Sequence, residues 1–267
     1  MEIKEMVMTT TEFKSVYGPV VSWRYGRSLG IDPIGQTSVC SFNCVYCQLG
    51  EIEVVTQKRD IYVPTEMILG DLQGFAPWDV DVVTLSGSGE PTLALNLGEI
   101  LQGIQEMTQR PTLVLTNGTL LDDRQVQADL RYCDRLSLKL DAVTAKPLNR
   151  VNRPVDSLNL EQMWQGMLDF RQHYAGEIGV QTMILTPWDA ETRHQYIEMM
   201  KALSPVEIQL NTPSRPKPVK RQLDGRGNHY DERSYEVKRF KCVEPEVLQA
   251  FANEIEQETN IPVRYRG

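Results

Sequence analysis

DVDVVTLSG (79–87), PTLVLTNG (111–118) and DRLSLKLDA (134–142) decide the fold of this chain. Each is a short run of β-branched and apolar residues that ends in a glycine or polar turn, the pattern of a strand buried on both faces. Between them lie LNLGEILQGIQEMTQ (95–109) and LLDDRQVQADL (120–130), whose apolar residues recur at helical spacing. The alternation continues through helix SLNLEQMWQGMLDFRQHY (157–174), strand EIGVQTMIL (177–185), helix DAETRHQYIEMMKAL (189–203) and strand VEIQLN (206–211). Five such strands trading places with helices predict an α/β fold with a parallel sheet covered by helices. A sixth strand just before the cysteines, at 34–39, completes a partial (β/α)6 barrel, short of the eight units of a closed one. In such sheets chemistry sits at the carboxyl ends of the strands. The polar clusters CSFNC, SGSGEP, TNG, SLKLDA and LNTPSR fall there.

The 267 residues carry a net charge of −8, the wrong sign for a protein whose main task is gripping phosphate backbones. No apolar run is long enough to span a membrane. The opening MEIKEMVMTTTEF has no apolar core and carries acids, so it does not read as a signal or transit peptide. A cytoplasmic location is expected. Five cysteines, three of them within eight residues, fit a metal site in a reducing compartment better than a disulfide scaffold.

Those three are Cys40, Cys44 and Cys47 in TSVCSFNCVYCQLG (37–50), spaced C-x3-C-x2-C. Thiolates are the natural ligands of iron–sulfur clusters, and three of them leave the fourth iron open. Zinc wants a fourth ligand and a different spacing. With Tyr46 before the third cysteine, the stretch resembles the signature of the radical S-adenosylmethionine (SAM) superfamily. The resemblance implies a [4Fe–4S] cluster whose open iron chelates SAM and whose electron cleaves a C–S bond, normally giving methionine and a 5′-deoxyadenosyl radical.

SGSGEPTL (86–93) resembles the superfamily's GGE motif, which implies that Gly89 and Glu90 meet the amino group of SAM. A glycine there lets backbone approach a ligand, and a carboxylate accepts from an ammonium. In SLKLDA (137–142), alternation puts Ser137, Lys139 and Asp141 on one face, where a ribose diol or the SAM carboxylate would partner them. A satisfied Lys–Asp pair lining the sheet is the plainer reading. Asn117, Gln181 and Asn211 join the candidates by position alone, since each also suits a turn cap.

YGPVVSWRYGRSLGIDP (17–33), CSFNCVYCQLG, LNRVNRPV (148–155) and QLNTPSRP (209–216) together resemble the stand-alone radical SAM proteins related to the archaeal wyosine-type tRNA synthetase. That family acts on a guanosine in tRNA, but it carries an upstream cysteine set, and no cysteine precedes Cys40 here. The substrate expected is therefore small or nucleotide-like and anionic, with tRNA not favoured. An external electron donor of the flavodoxin or ferredoxin type is implied, and no membrane partner. A glycyl-radical-enzyme activating enzyme and a non-catalytic iron–sulfur or SAM-binding regulator are the rival readings.

Residues 1–211 are expected to form the barrel core with its lead-in, and 212–267 an extension packed on the same domain. The extension opens with 212–242, which carries nine Lys/Arg against four Asp/Glu and reads as a mobile flap over the barrel mouth. Arg215, Lys217, Lys220 and Arg221 would there meet a phosphate or carboxylate, or else merely offset nearby acids. EPEVLQAFANEIEQETN and IPVRYRG follow as a helix and a short edge strand. Cys133 reads as a buried small hydrophobe. Cys242 cannot hold a second cluster alone, and His173, His194 and His229 suggest no site.

Overall fold

The apolar runs of the sequence become neighbouring strands of one sheet in the computed structural model, which describes residues 13–226 and 235–266. In order across the sheet stand β1 (Val16–Ser22), β2 (Gly26–Ile31), β3 (Val82–Leu85), β4 (Thr112–Thr116), β5 (Arg135–Lys139), β6 (Glu177–Met183), β7 (Glu207–Asn211) and β8 (Val263–Arg266). β1 pairs antiparallel with β2, and every later pairing is parallel. All four residues of β3 are buried, as a strand with helices on one face and a filled concavity on the other requires.

Helices α1 (Thr65–Gln73), α2 (Leu97–Thr108), α3 (Arg124–Asp129), α4 (Ala145–Val151), α5 (Leu160–His173), α6 (Ala190–Leu203) and α7 (Pro245–Thr259) cover the convex face. α2 buries Leu97, Ile100, Leu101 and Ile104, one stripe at helical spacing. Asp123, Asn159 and Asp189 begin α3, α5 and α6 by accepting from backbone N–H groups of the first turn. α7 docks through Phe251, whose ring centroid lies 5.6 Å from those of both Trp188 and Tyr196. It carries the chain to β8, so the C-terminal edge strand extends the parallel sheet beyond β7.

One expected strand is absent. After Ile31, Asp32 Oδ1 accepts from the backbone N–H of Ile34 (3.0 Å) and Gly35 (3.1 Å), a turn that bends residues 34–39 off the sheet. The first parallel strand is instead GRSLGI (26–31), preceded by a hairpin partner that the sequence reading did not foresee. Six β/α strands, β2–β7, therefore do form the core of a partial barrel. The hairpin turn also spans the open side: Arg264 of β8 donates to Arg24 O (2.8 Å), and Gln209 Nε2 of β7 donates to Tyr25 Oη (3.1 Å). Strands at opposite edges of the sheet are thereby tied, and the sheet stays curled.

Among the described residues, Val39–Cys40 is the extended piece of the cysteine stretch, paired with Val54–Val55. It lies across the end of β3: Val39 N donates to Ser88 O (3.1 Å) and Glu90 N to Val39 O (3.0 Å). Gly89 is the crossing point, where an added Cβ would sit 1.6 Å from Val39 O. Gly89→Ala must displace backbone, so it is expected to cost at least about 1–3 kcal/mol. That is a fall in melting temperature of several degrees, at about 2–4 °C per kcal/mol. Gly70 of α1 has nothing within 4 Å of its Cβ position, so Gly70→Ala should leave the melting temperature unchanged or raise it. Thermal melts of the two variants side by side check this.

Candidate active site

A cavity of about 600 Å³ opens at the carboxyl ends of the parallel strands, and Cys40, Cys44 and Cys47 all line it. Three segments hold the cysteine stretch there. The end of β3 crosses it at Gly89. The end of α4 and the residues after it grip its far side, with Asn43 N donating to Asn152 O (2.9 Å), Val45 N to Val151 O (2.9 Å) and Val155 N to Ser41 O (3.0 Å). The C-terminal segment clasps its end, with Gln222 N donating to Leu49 O (2.9 Å) and Gly225 packed on Gln48 O.

Donors are aimed at the sulfurs. Cys40 Sγ accepts from Phe42 N (3.4 Å) and Asn117 Nδ2 (3.7 Å), and Cys44 Sγ from Asn152 Nδ2 (3.4 Å). Burial pushes all three thiols up, Cys44 to about 12, and the charges of Glu90 and Asp141 add to the effect at Cys40 and Cys44 respectively. Among the described residues, no three His, Cys, Asp or Glu side chains are gathered so as to hold a single metal ion.

Of the other sequence candidates, Gly89, Glu90, Asn117, Ser137, Lys139, Gln181 and Asn211 line the same cavity. Glu90 is buried and heavily engaged: Oε1 accepts from Thr92 N, Thr92 Oγ1 (2.7 Å) and Thr116 Oγ1 (2.6 Å), and Oε2 from Asn117 N (2.8 Å). Burial still raises its carboxyl above the usual range. Asn117 braces the cysteine stretch through Ser41 Oγ (2.8 Å). Ser137 Oγ is buried with no hydrogen-bond partner among the described residues. Lys139 Nζ stands 5.1 Å over the Tyr46 ring and 3.6 Å from Asp141 Oδ1.

Gly89 admits the backbone of the cysteine stretch and also lines the cavity. One expectation changes. Asp141 is not in the cavity wall: its Oδ2 accepts from Tyr46 Oη and Asn152 Nδ2 (2.7 Å), and its Oδ1 from Met183 N (2.8 Å). Local alternation put it beside Ser137 and Lys139, but it lies beyond the end of β5, where the chain has left the strand.

The basic segment also differs from a flap of free cations. Lys217 is buried against Glu51 (2.7 Å), Arg221 lies 3.6 Å from Glu53, and Arg226 is paired with fully buried Asp32 (2.8 Å). Lys220 is exposed, and Arg215 reaches the cavity wall, donating to Gln48 Oε1 (2.7 Å). Residues 227–234, with His229, lie outside the described residues. His173 and His194 are exposed on helices, Cys133 is buried and donates its thiol to Arg135 O (2.8 Å), and Cys242 is not in the cavity wall. The hairpin's share of the wall is Tyr17, Trp23, Arg24 and Tyr25, of which the sequence pointed only to Tyr25, as a fallback for substrate recognition. The alternating VYGPVVS ahead of the turn WRYG was the available signal.

Comparison with known proteins agrees with this geometry. The family model described as the radical SAM superfamily matches residues 35–203. A UPF0026 protein of Synechocystis sp. is 55% identical over 95% of this chain and 97% of its own. A probable GTP 3′,8-cyclase of Saccharolobus islandicus is 30% identical over 48% of this chain and 40% of its own. The crystal structure of Streptococcus suis SuiB bound to S-adenosylmethionine superposes with a TM-score of 0.62 at 14% identity. That match covers 86% of this chain and 49% of SuiB, so the chain spans about half the length of that protein. Among the described residues no helix is long and apolar enough to cross a membrane. The chain belongs to the radical SAM superfamily, enzymes that work with a [4Fe–4S] cluster and SAM.

Proposed function

We propose that Cys40, Cys44 and Cys47 hold the [4Fe–4S] cluster, that SAM occupies the adjoining cavity, and that the chain acts on an anionic, small or nucleotide-like substrate. The observation that carries this reading is the convergence in one wall of three thiols, N–H donors aimed at two of the sulfurs, and the buried hydroxyl of Ser137 that no protein group satisfies. A buried unpaired hydroxyl is costly unless a ligand completes it. When bound, the cluster supplies one electron to the SAM sulfonium, and the broken C–S bond yields methionine and a 5′-deoxyadenosyl radical.

The chain's own residues do the rest. Ser137 and Lys139 serve the ribose and carboxylate of SAM. Glu90 Oε2, with a single protein donor, keeps a lone pair for the amino group. Tyr25 and Arg24 floor the cavity from the hairpin, which limits the entry of water to a site that handles a carbon radical.

The anionic reading rests on charge and rings. Arg24, Lys139, Arg215, Arg226 and Arg266 line the cavity, with Glu90 as the one carboxylate among the described lining residues, in a chain of net −8. Trp23 and Tyr25 add faces on which a base can stack. The relative whose name specifies GTP 3′,8-cyclization points the same way. Kinship with the wyosine-type proteins rests on the motifs quoted above, with tRNA not favoured as the substrate. A low-potential donor of the flavodoxin or ferredoxin type completes the reading. A glycyl-radical activating role is not favoured by these relatives.

Two outcomes are expected. Anaerobically reconstituted protein should bind about four irons and, with SAM and dithionite, release 5′-deoxyadenosine. Cys40, Cys44 and Cys47 changed together to Ala should abolish both, and Cys133→Ala neither; a triple variant that keeps a full cluster would sink the assignment. Ser137→Ala should weaken SAM binding about 2- to 10-fold, the worth of one neutral hydrogen bond of 0.5–1.5 kcal/mol. It should not lower the melting temperature of the ligand-free protein, because the hydroxyl has no protein partner to lose. A SAM titration and a melt of the same variant test both halves.

A further inference from the structure

LNRVNRPV (148–155) resembles a family motif in the sequence, and in the site above it supplies one of the donors aimed at a sulfur. Its backbone accepts from Asn43 and Val45, which accounts for its position beneath the cysteine stretch. Its most buried side chain does something more specific. Asn152, the C-cap of α4, is 1% exposed, and its Nδ2 lies 3.4 Å from Cys44 Sγ and 2.7 Å from Asp141 Oδ2. Both neighbours are acceptors. The amide must present its NH2 to them, since the flipped amide would set carbonyl against carboxylate. Its own carbonyl oxygen is left buried with no partner. A side chain that leaves one acceptor unsatisfied in order to direct its donors at a thiol is held there by the network, with Asp141 fixed in turn by Met183 N and Tyr46 Oη.

We infer that Asn152 is a positioning residue that sets the reduction potential of the cluster through Cys44, with Asp141 as the group that orients it. The inference rests on the reading that Cys40, Cys44 and Cys47 carry the cluster. The step concerned is the entry of one electron from a low-potential donor of the flavodoxin or ferredoxin class, in which no bond forms or breaks. Reduction adds negative charge that spreads onto the thiolate sulfurs. An N–H donor to one of them favours the reduced state and raises the potential. The carboxylate of Asp141, itself held by Tyr46 Oη and Met183 N, accepts from Asn152 and so fixes the orientation of its amide. Asn117 makes a longer contact of the same kind, 3.7 Å, to Cys40.

The test is an EPR-monitored dithionite titration of reconstituted wild type and Asn152→Leu, which keeps the approximate volume and removes the donors. The variant is expected to take up the same iron and to be about tenfold harder to reduce. For a one-electron couple that is a shift of about 59 mV to more negative potential. Asn152→Ser, which removes volume and whose hydroxyl is too short to reach Cys44, should shift in the same direction. Wild-type potential in a cluster-loaded variant overturns the inference, leaving Asn152 as a brace for the loop. Loss of the cluster in both variants overturns it too, in favour of a purely structural role. Wild-type protein that takes up no iron would instead remove the cluster assignment on which the inference rests.

Discussion

Two backbones touch at Gly89, and the site depends on that contact. Val39 and the turn after β3 exchange hydrogen bonds at a separation no side chain at residue 89 would permit. The crossing fixes Cys40 relative to the sheet end, and it also seats Glu90, whose carboxylate gathers Thr92, Thr116 and the backbone of Asn117. Asn117 then returns to Ser41 beside Cys40, so the ring of contacts closes on the cysteine stretch. Such a closed ring in a low-dielectric setting is rigid, because each donor removed strands a buried acceptor. Reactive centres need this stiffness, since small displacements of a ligand cost much in rate.

Charge is arranged to the same end. A chain of net −8 has acids to spare, and several fix the cations of its most basic segment in place. Lys217 with Glu51, Arg221 with Glu53 and Arg226 with Asp32 are contacts between the C-terminal segment and the stretch from Asp32 to Glu53. Arg226 and Asp32 are the most buried of these, and Asp32 also accepts from Ser88 N and Oγ (2.7 Å). Buried pairs of this kind contribute little net stability but are costly to break singly. Their effect is registry: they set where the end of the chain lies over the cysteines.

The parallel sheet was legible because Val82–Leu85, Thr112–Thr116 and their successors are buried on both faces, and burial on both faces leaves unbroken apolar runs in sequence. The hairpin β1–β2 was not, because its outer strand is half exposed and its inner strand reads GRSLGI, with two glycines where a strand usually carries bulk. Gly30 is needed there: an added Cβ would meet the Tyr17 ring at 2.3 Å. Residues 34–39 misled because the Asp32 turn acts through a side chain two residues upstream, and apolar pattern carries no trace of it. In the site, the cysteine spacing was explicit. The pairing of Asn152 with Cys44 joins residues 108 positions apart, which no local pattern can report.

Polar residues turned toward the cavity fall into two classes, and the distinction is energetic. Glu90 and Asn117 line it and also hold the protein together, Glu90 through Thr92, Thr116 and the backbone of Asn117, and Asn117 through Ser41. Removing either leaves buried partners unpaired. Ser137 is the opposite case, a buried hydroxyl with no hydrogen-bond partner among the described residues, on a strand paired on both sides. In the basic segment Lys217 is enclosed by its ion pair, while Arg215 lines the cavity and donates to Gln48. Read by satisfaction instead of by residue type, the wall divides into a part that holds the cysteine stretch and a part that, on the proposed reading, would meet SAM and its substrate.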